Sequence, residues 1–164
     1  MKRYALIIFD IDGTLVRTKS GSRVRKNAAD WQWLPGRLRK LHELKQEGVK
    51  IAIATNQAGV AFGYLPEQAL HEELTRMMRE ANLPLDALYV CYTHPKATLP
   101  EFLQVEDDVC RKPHPTMLLE AMRKFGVSAN ETLYVGDRPV DEETARNAGV
   151  DYMPVNEFFD SAIS

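Results

Sequence analysis

The heptapeptide Phe-Asp-Ile-Asp-Gly-Thr-Leu, residues 9–15, follows directly on the apolar run Ala-Leu-Ile-Ile of residues 5–8. A short Ile-rich run that ends abruptly in acid-x-acid-Gly predicts a buried parallel strand with two carboxylates at its C-terminal end. Open α/β sheets keep their active sites at this end. Carboxylates so close repel each other, so the pair destabilises the fold unless a cation or a phosphoryl group shares the site. From this stretch alone, an ordinary Asp-Gly turn after a strand is the alternative.

Outward from this stretch, the chain alternates strand and helix patterns. Further apolar runs predict strands at residues 49–54, 85–91, 132–135 and 151–154. Apolar spacing, with Gly and Pro as boundaries, predicts helices at residues 36–47, from Pro66 to about Met78, and at 115–125, 140–147 and 157–159. This alternation predicts a three-layer α/β/α Rossmann-like fold with a central parallel sheet of about five strands. We find no repeat or linker, so we expect residues 1–164 to form a single domain.

Composition limits the classes of protein further. The chain has 164 residues, of which 45% are hydrophobic and 27% charged, as expected for a globular domain with a full core. A net charge of −2 argues against a large basic nucleic-acid platform. The first apolar run meets Asp10 too early for a signal peptide or a membrane span, so we expect no membrane partner and a cytoplasmic location. In that compartment Cys91 and Cys110 are expected to be free thiols or metal ligands rather than a disulfide.

Polar residues follow three of the predicted strands. Asp10 and Asp12 follow the first strand, Thr55 and Asn56 follow the second, and Asp137 follows the fourth, while Lys112 precedes a helix. The carboxyl ends of parallel strands lie on one edge of a sheet, so these side chains can converge. Carboxylates hold Mg²⁺ through oxygen, and Lys and Thr hold phosphate oxygens. A carboxylate can also attack phosphorus and form an aspartyl-phosphate.

Four segments carry a resemblance to a known family. In order and approximate spacing, Asp10–Thr14 (DIDGT), Thr55–Gln57 (TNQ), Arg111–Pro113 (RKP) and Gly136–Asp141 (GDRPVD) resemble the four motifs of the haloacid dehalogenase (HAD) superfamily of phosphohydrolases. The resemblance implies a HAD-like fold and a Mg²⁺-dependent phosphomonoester hydrolase. It covers nearly the whole chain. Neither gap between the early motifs is long enough for a large cap domain.

The resemblance also implies roles for individual residues. Asp10 is expected to be the nucleophile, and Asp12 the general acid and then the general base. The carboxylates of Asp10 and Asp137, with the backbone carbonyl of Asp12, are expected to bind Mg²⁺. Thr55, Asn56 and Lys112 are expected to bind the phosphoryl group. Arg111 and Arg138 are expected to contact the substrate. Asp141 either supports the metal shell or the lysine, or is a solvated acid in the first turn of a helix.

The chain resembles two capless groups of the superfamily, and these groups act on different substrates. Residues 55–60, 86–95 and 110–115 resemble the heptose-bisphosphate and histidinol-phosphate phosphatases, which implies a sugar (bis)phosphate or a histidinol-phosphate-like small molecule. Residues 18–21, 30–31 and 154–159 resemble instead the phosphatase half of polynucleotide kinase-phosphatases, which removes DNA 3′-phosphates. A basic stretch with two tryptophans could contact such a nucleic-acid end: Arg17, Lys19, Arg23, Arg25, Lys26, Trp31 and Trp33. A solvated surface with one Trp folded onto the core is an equally good interpretation.

Two further alternatives concern metal and signalling. The heptose-bisphosphate group carries a zinc clamp before its lysine motif, and Cys91, His94, Asp108 and Cys110 could form a four-ligand zinc site here. The competing hypothesis is two free thiols packed as small apolar groups. A phospho-receiver module also uses Asp, Thr, Lys and Mg²⁺, but it phosphorylates an Asp at the end of the third strand, where this chain has Cys91. A monomer is the default expectation.

Overall fold

The computed structural model describes residues 2–160, and its centre is a five-stranded parallel sheet. The strands are β1 (Leu6–Phe9), β4 (Lys50–Asn56), β5 (Leu88–Cys91), β6 (Thr132–Gly136) and β7 (Asp151–Pro154), in the spatial order β5-β4-β1-β6-β7. β1, the strand of the opening motif, lies in the middle, paired with β4 and β6. The predicted α/β fold with a parallel sheet of about five strands is therefore confirmed.

Within residues 2–160, five α-helices cover the two faces of this sheet: α1 (Arg37–Gln46), α2 (Glu67–Glu80), α3 (Thr116–Phe125), α4 (Pro139–Ala148) and α5 (Val155–Asp160). Successive residues of a strand point to opposite faces, so Leu6 and Ile8 join one core cluster with α3 and α4. Ile7 and Phe9 join the other cluster, which includes residues of α1, α2 and α5. Because β1 is buried on both faces, its sequence is continuously apolar rather than alternating.

The structure differs from the predicted secondary structure where short strands and a 3₁₀ turn occur. The segment between β1 and α1 contains an antiparallel pair, β2 (Val16–Arg17) and β3 (Gln32–Trp33), where the sequence predicted only a loop. Strands of two residues have no period to detect. Leu85–Ala87 forms a 3₁₀ turn, so the third strand of the sheet begins at Leu88 rather than Leu85. None of the helices within residues 2–160 has the length and apolarity needed to cross a membrane.

The cysteines form a disulfide between Cys91 at the end of β5 and Cys110, with the two Cα atoms 5.5 Å apart. Neither cysteine is therefore a free thiol, and both predicted states, free thiol and metal ligand, were wrong. Sequence composition pointed the wrong way because the compartment, which sets the redox state, was itself only inferred. The disulfide ties residues 92–109 to the sheet immediately before Arg111 and Lys112.

Candidate active site

Lys112 occupies the centre of a buried polar cluster at the carboxyl edge of the sheet. Its ammonium donates to Asp10 Oδ1 at 2.9 Å and to Asp141 Oδ1 at 2.8 Å. It also lies 2.7 Å from the hydroxyl of Tyr134 and 3.3 Å from the carbonyl of Ala54. The side chains of Lys112 and both carboxylates are at most 10% exposed. Buried ion pairs depend on further hydrogen bonds because their charges have lost hydration, and Lys112 and Asp141 each form such bonds here.

Asp141, the second acid of the last motif, supports the lysine. Its Oδ1 accepts from Lys112 and from the Tyr134 hydroxyl at 2.9 Å, and its Oδ2 accepts from the backbone N–H groups of Asp137 and Arg138 at 3.2 Å each. Asp141 is fully buried, so the interpretation as a solvated acid was wrong. Sequence reasoning missed Tyr134, because an aromatic residue inside an apolar strand looks like ordinary core.

Asp137 completes an acidic group that faces the opening of the site. Oxygens of Asp10, Asp137 and Asp141 lie within 4.8 Å of one another, and this is the one group of three or more metal-capable side chains in the described residues. Gly13 lies against Asp137: a Cβ at residue 13 would be 2.2 Å from Asp137 Oδ2, and its φ of +83° also favours glycine. The Gly of the first motif therefore makes room for the carboxylate of the last.

The charge balance of this cluster favours a bound cation. Burial raises the pKa of Asp10 to about 7, against the opposing effect of the Lys112 ammonium. Burial, and next the charge of Asp141, also raise the pKa of Asp137. Burial works against the charged form of Lys112, but Asp10 and Asp141 outweigh it and raise its pKa. The cluster thus holds three acidic side chains, of which the Lys112 ammonium contacts two, and their all-oxygen donor set suits Mg²⁺.

Asp12 lies on the open side of the site, with its side chain 37% exposed. Its Oδ1 accepts from Arg25 Nη2 at 2.9 Å and from Arg25 Nε at 3.2 Å. Its Oδ2 accepts from the side-chain amide of Gln57 at 2.9 Å. The sequence placed Arg25 only within a basic stretch, and no periodic signal could have paired it with Asp12.

The second motif supports the site from β4. Thr55 is buried, and its hydroxyl accepts from the Gln57 amide at 2.9 Å. Asn56 forms two hydrogen bonds to the backbone of Lys112: it accepts from the N–H at 3.0 Å and donates to the carbonyl at 3.3 Å. The Asn56 side chain thus holds the Lys112 backbone in place. Phosphate binding by Thr55 and Asn56 remains a prediction.

The two predicted substrate arginines differ in environment. Arg111 is half-buried, its Nη1 is inaccessible to solvent without a hydrogen-bond partner, and burial lowers its pKa. A buried guanidinium nitrogen left unpaired is costly, which is consistent with an anion binding there. Arg138 is exposed, and its backbone N–H donates to Asp141.

The predicted zinc site is not supported by the structure. Cys91 and Cys110 are bonded to each other, His94 Nδ1 accepts from the N–H of Lys96 at 2.9 Å, and Asp108 is exposed. The His94 ring also packs on Phe62, with centroids 4.8 Å apart. A disulfide leaves the sulfurs without the thiolates that zinc needs.

The basic stretch before α1 is only partly free to contact a nucleic acid. Trp31 is buried, and its indole N–H donates to Glu73 at 2.7 Å. Trp33 is partly buried against the core, and Arg25 is bound to Asp12. Four basic residues remain exposed on this stretch: Arg17, Lys19, Arg23 and Lys26. The interpretation with a Trp folded onto the core therefore fits this stretch better than a stacking platform.

The parallel sheet, with the acid and lysine cluster at its carboxyl edge, defines a HAD-type phosphatase. Comparison with known proteins agrees, since the family described as polynucleotide kinase 3 phosphatase matches residues 5–159. The chain belongs to this family.

Individual relatives are named as heptose phosphatases. The D-glycero-beta-D-manno-heptose-1,7-bisphosphate 7-phosphatase of Salmonella typhi is 34% identical over 153 residues, which cover 91% of this chain and 78% of the relative. The protein of the same name from Escherichia coli (strain K12) is 36% identical over 125 residues, which are 74% of this chain. The matched region spans 64% of that relative, just under two thirds of its length. A solved D,D-heptose 1.7-bisphosphate phosphatase from B. bronchiseptica, complexed with magnesium and phosphate, has a TM-score of 0.70 at 29% identity, covering 90% of this chain and 78% of that one.

Proposed function

We propose that this phosphatase is a Mg²⁺-dependent phosphomonoesterase that works through an aspartyl-phosphate on Asp10. One observation carries the proposal: a buried Asp10 carboxylate lies 2.9 Å from the Lys112 ammonium, in a group with Asp137 that opens toward solvent. A carboxylate nucleophile needs a nearby positive charge, because the transferring group is itself anionic.

Asp10 and Asp137 would hold the cation, with the backbone carbonyl of Asp12. Asp141 is less available as a ligand, because both of its oxygens already accept two hydrogen bonds each. When bound, Mg²⁺ would offset the charge of the phosphoryl oxygens. A structural relative complexed with magnesium and phosphate supports this assignment.

The chain's own residues account for the two chemical steps. An Asp10 oxygen attacks phosphorus, the bond from phosphorus to the leaving oxygen breaks, and Asp12 donates the proton that this oxygen takes up. Asp12, now a carboxylate, then removes a proton from a water molecule, whose oxygen attacks phosphorus and breaks the bond to Asp10. Phosphate leaves, and Asp10 is again a carboxylate. Lys112 stabilises the negative charge throughout.

We propose a small sugar (bis)phosphate as the substrate, since the relatives above are named for a heptose bisphosphate. A DNA 3′-phosphatase is the second candidate, because the matching family is described by that activity. The buried Trp31 and the Arg25–Asp12 pair weaken this candidate, since they remove a ring and a charge from the surface it would use.

The test is hydrolysis of three substrates with Mg²⁺: a heptose bisphosphate, histidinol phosphate and a 3′-phosphorylated oligonucleotide. We expect the highest kcat/KM for the sugar bisphosphate. Asp10→Asn should lower kcat about 10⁴-fold or more, because removing a nucleophile removes the covalent route. Asp107→Asn is the control, since Asp107 is an exposed loop acid. Full turnover by Asp10→Asn, or no phosphate release from any substrate by the wild-type protein, would refute the proposal.

A further inference from the structure

Arg25 is a buried cation that the roles assigned so far leave without a function. Its side chain is 5% exposed, although it belongs to a loop whose neighbouring basic residues are solvated. Two of its nitrogens donate to Asp12 Oδ1, and Nη1 donates to the carbonyl of Ala28 at 3.3 Å. Burying a guanidinium is unfavourable unless it is fully paired. Here its pairing partner is the proposed general acid.

The loop around Arg25 is held by Asp30. One carboxylate oxygen of Asp30 accepts from the N–H of Ser20 at 2.9 Å, and the other accepts from the Ser20 hydroxyl at 2.7 Å and the N–H of Lys26 at 2.9 Å. These bonds bring the two sides of the loop together and fix the backbone directly after Arg25. The Arg25 guanidinium therefore contacts Asp12 from a loop segment whose backbone is held by hydrogen bonds.

Asp12 is held from both sides. Arg25 contacts its Oδ1, and Gln57, at the end of β4, contacts its Oδ2. A carboxylate held at both oxygens has its plane and its direction fixed. Proton transfer to a leaving oxygen needs the acid within hydrogen-bond reach, and a misplacement of about 1 Å can cost about 10²-fold in rate.

We propose that Arg25 is a positioning residue for this phosphatase: its two N–H contacts to Asp12 Oδ1, opposed by Gln57 at Oδ2, fix the Asp12 side chain over the site of phosphoryl transfer. The inference rests on the proposed function, in which Asp12 moves the proton. It differs from two other roles for a buried arginine. A substrate-binding arginine acts on KM, and an arginine that only anchors its loop acts on stability.

The experiment compares Arg25→Gln and Arg25→Lys with a matched control, Arg123→Gln, at an exposed arginine on α3. Each variant is assayed with Mg²⁺ on glycerol phosphate, whose leaving oxygen needs a proton, and on p-nitrophenyl phosphate, whose leaving group departs without one. In single turnovers with enzyme in excess, Arg25→Gln should slow cleavage of glycerol phosphate about 10- to 100-fold. Cleavage of p-nitrophenyl phosphate should change less than about threefold, and KM should stay within about twofold.

Arg25→Lys should recover part of the lost rate, because an ammonium can also donate to Asp12 Oδ1 but lacks the rigid pair of N–H groups that the guanidinium directs at this oxygen. This variant also keeps the buried charge, so it tests the inference if Arg25→Gln fails to fold. A second arm places Arg25→Gln in an Asp12→Asn background, where it should have no further effect on the rate, because the group it positions is gone.

Three results would overturn the inference. Equal losses on both substrates, a rise in KM with kcat unchanged, or additive effects of Arg25→Gln and Asp12→Asn would each assign Arg25 another role. An active wild-type protein that loses rate in Asp12→Asn but not in either Arg25 variant refutes this inference alone. A wild-type protein that releases phosphate neither from these two substrates nor from the heptose bisphosphate, histidinol phosphate and 3′-phosphorylated oligonucleotide refutes the proposed function, and this inference with it.

Discussion

The two halves of the site are built in different ways. Asp10 directly follows β1, Tyr134 lies on β6, and Lys112 and Asp141 lie in the turn before α3 and the first turn of α4. All four side chains are buried, and Lys112 contacts the other three. Asp12 is instead partly exposed, and its partners come from a long loop and from the turn after β4. Asp10, the proposed nucleophile, is thus held by an ion pair in the core, whereas Asp12, the proposed proton-transfer group, is held by a loop and by Gln57.

This difference fits the roles that we propose for the two halves of the site. Phosphoryl transfer needs preorganised charge, which is most effective where water is excluded. The group that exchanges protons with substrate and water must remain accessible. Substitutions in the buried half should therefore reduce stability and activity together, while substitutions in the loop half should separate them.

The largest effect is expected in the buried half, from Lys112→Met. It leaves Asp10 and Asp141 buried without their shared cation, and breaking a buried ion pair from one side costs about 3–5 kcal/mol. Urea unfolding measures the free energy of unfolding, and phosphate release with Mg²⁺ should fall below detection.

Lys96→Met is the matched control, since Lys96 is exposed in the loop after β5. It should change the unfolding free energy by less than about 0.5 kcal/mol. If Lys112→Met proved as stable as this control, the carboxylates would not depend on the lysine, and the contrast between the two halves would fail.

A smaller effect is expected where the halves meet, from Gly13→Ala. A positive φ costs an L-residue about 1–2 kcal/mol, and the added Cβ would also displace the Asp137 carboxylate. We expect kcat to fall about 10-fold or more, with a higher Mg²⁺ concentration for half-maximal rate, as measured by metal titration of activity.

Gly149→Ala is the control that separates the cost of a positive φ from the displacement of the Asp137 carboxylate. Gly149 has a similar φ of +75°, but a Cβ there meets nothing within 4 Å. This variant should lose similar backbone stability and keep its activity. Equal activities for the two variants would show that contact between Gly13 and Asp137 has no bearing on the metal site.

The sequence predicted the buried half better than the loop half. The strands were found because their apolar runs are continuous, and the acids and the lysine because each follows or precedes such an element. Tyr134 was missed because its hydroxyl lies on a strand whose pattern is explained by core packing alone.

The loop half carries no such pattern. Arg25 and Asp12 are joined across 13 residues by a loop conformation that Asp30 sets, and neither hydrophobic period nor charge count reports it. The disulfide was missed for another reason: Cys91 and Cys110 were interpreted as free thiols or metal ligands because a reducing compartment was inferred, and the sequence does not show that they lie close in space. Loops and cross-links are where tertiary structure overrides local signals.

The smallest effect concerns the ordering of the loop and depends on pH. Backbone hydrogen bonds, with that from Lys26 the largest, and the Ser20 hydroxyl lower the pKa of Asp30 to about 2 from an ordinary value of 3.8. A carboxyl with a depressed pKa in the folded protein stabilises it above the unfolded-state pKa, and this contribution is lost as the pH falls toward the folded-state pKa. The stability that Asp30 contributes should therefore be complete above about pH 5 and be lost as the pH falls toward 2.

Urea unfolding of the wild-type protein and Asp30→Asn across this range measures that contribution as a difference in unfolding free energy. Because Asn cannot ionise, the difference should be constant from pH 7 to about pH 5 and shrink as the pH falls toward 2. A difference that stays constant to pH 2 would mean that the neutral carboxyl orders the loop as well as the carboxylate does. Asp107→Asn is the control, since no structural hydrogen bond involves that exposed side chain among the described residues. A pH-dependent difference confined to Asp30→Asn locates the effect in the loop that carries Arg25 to Asp12.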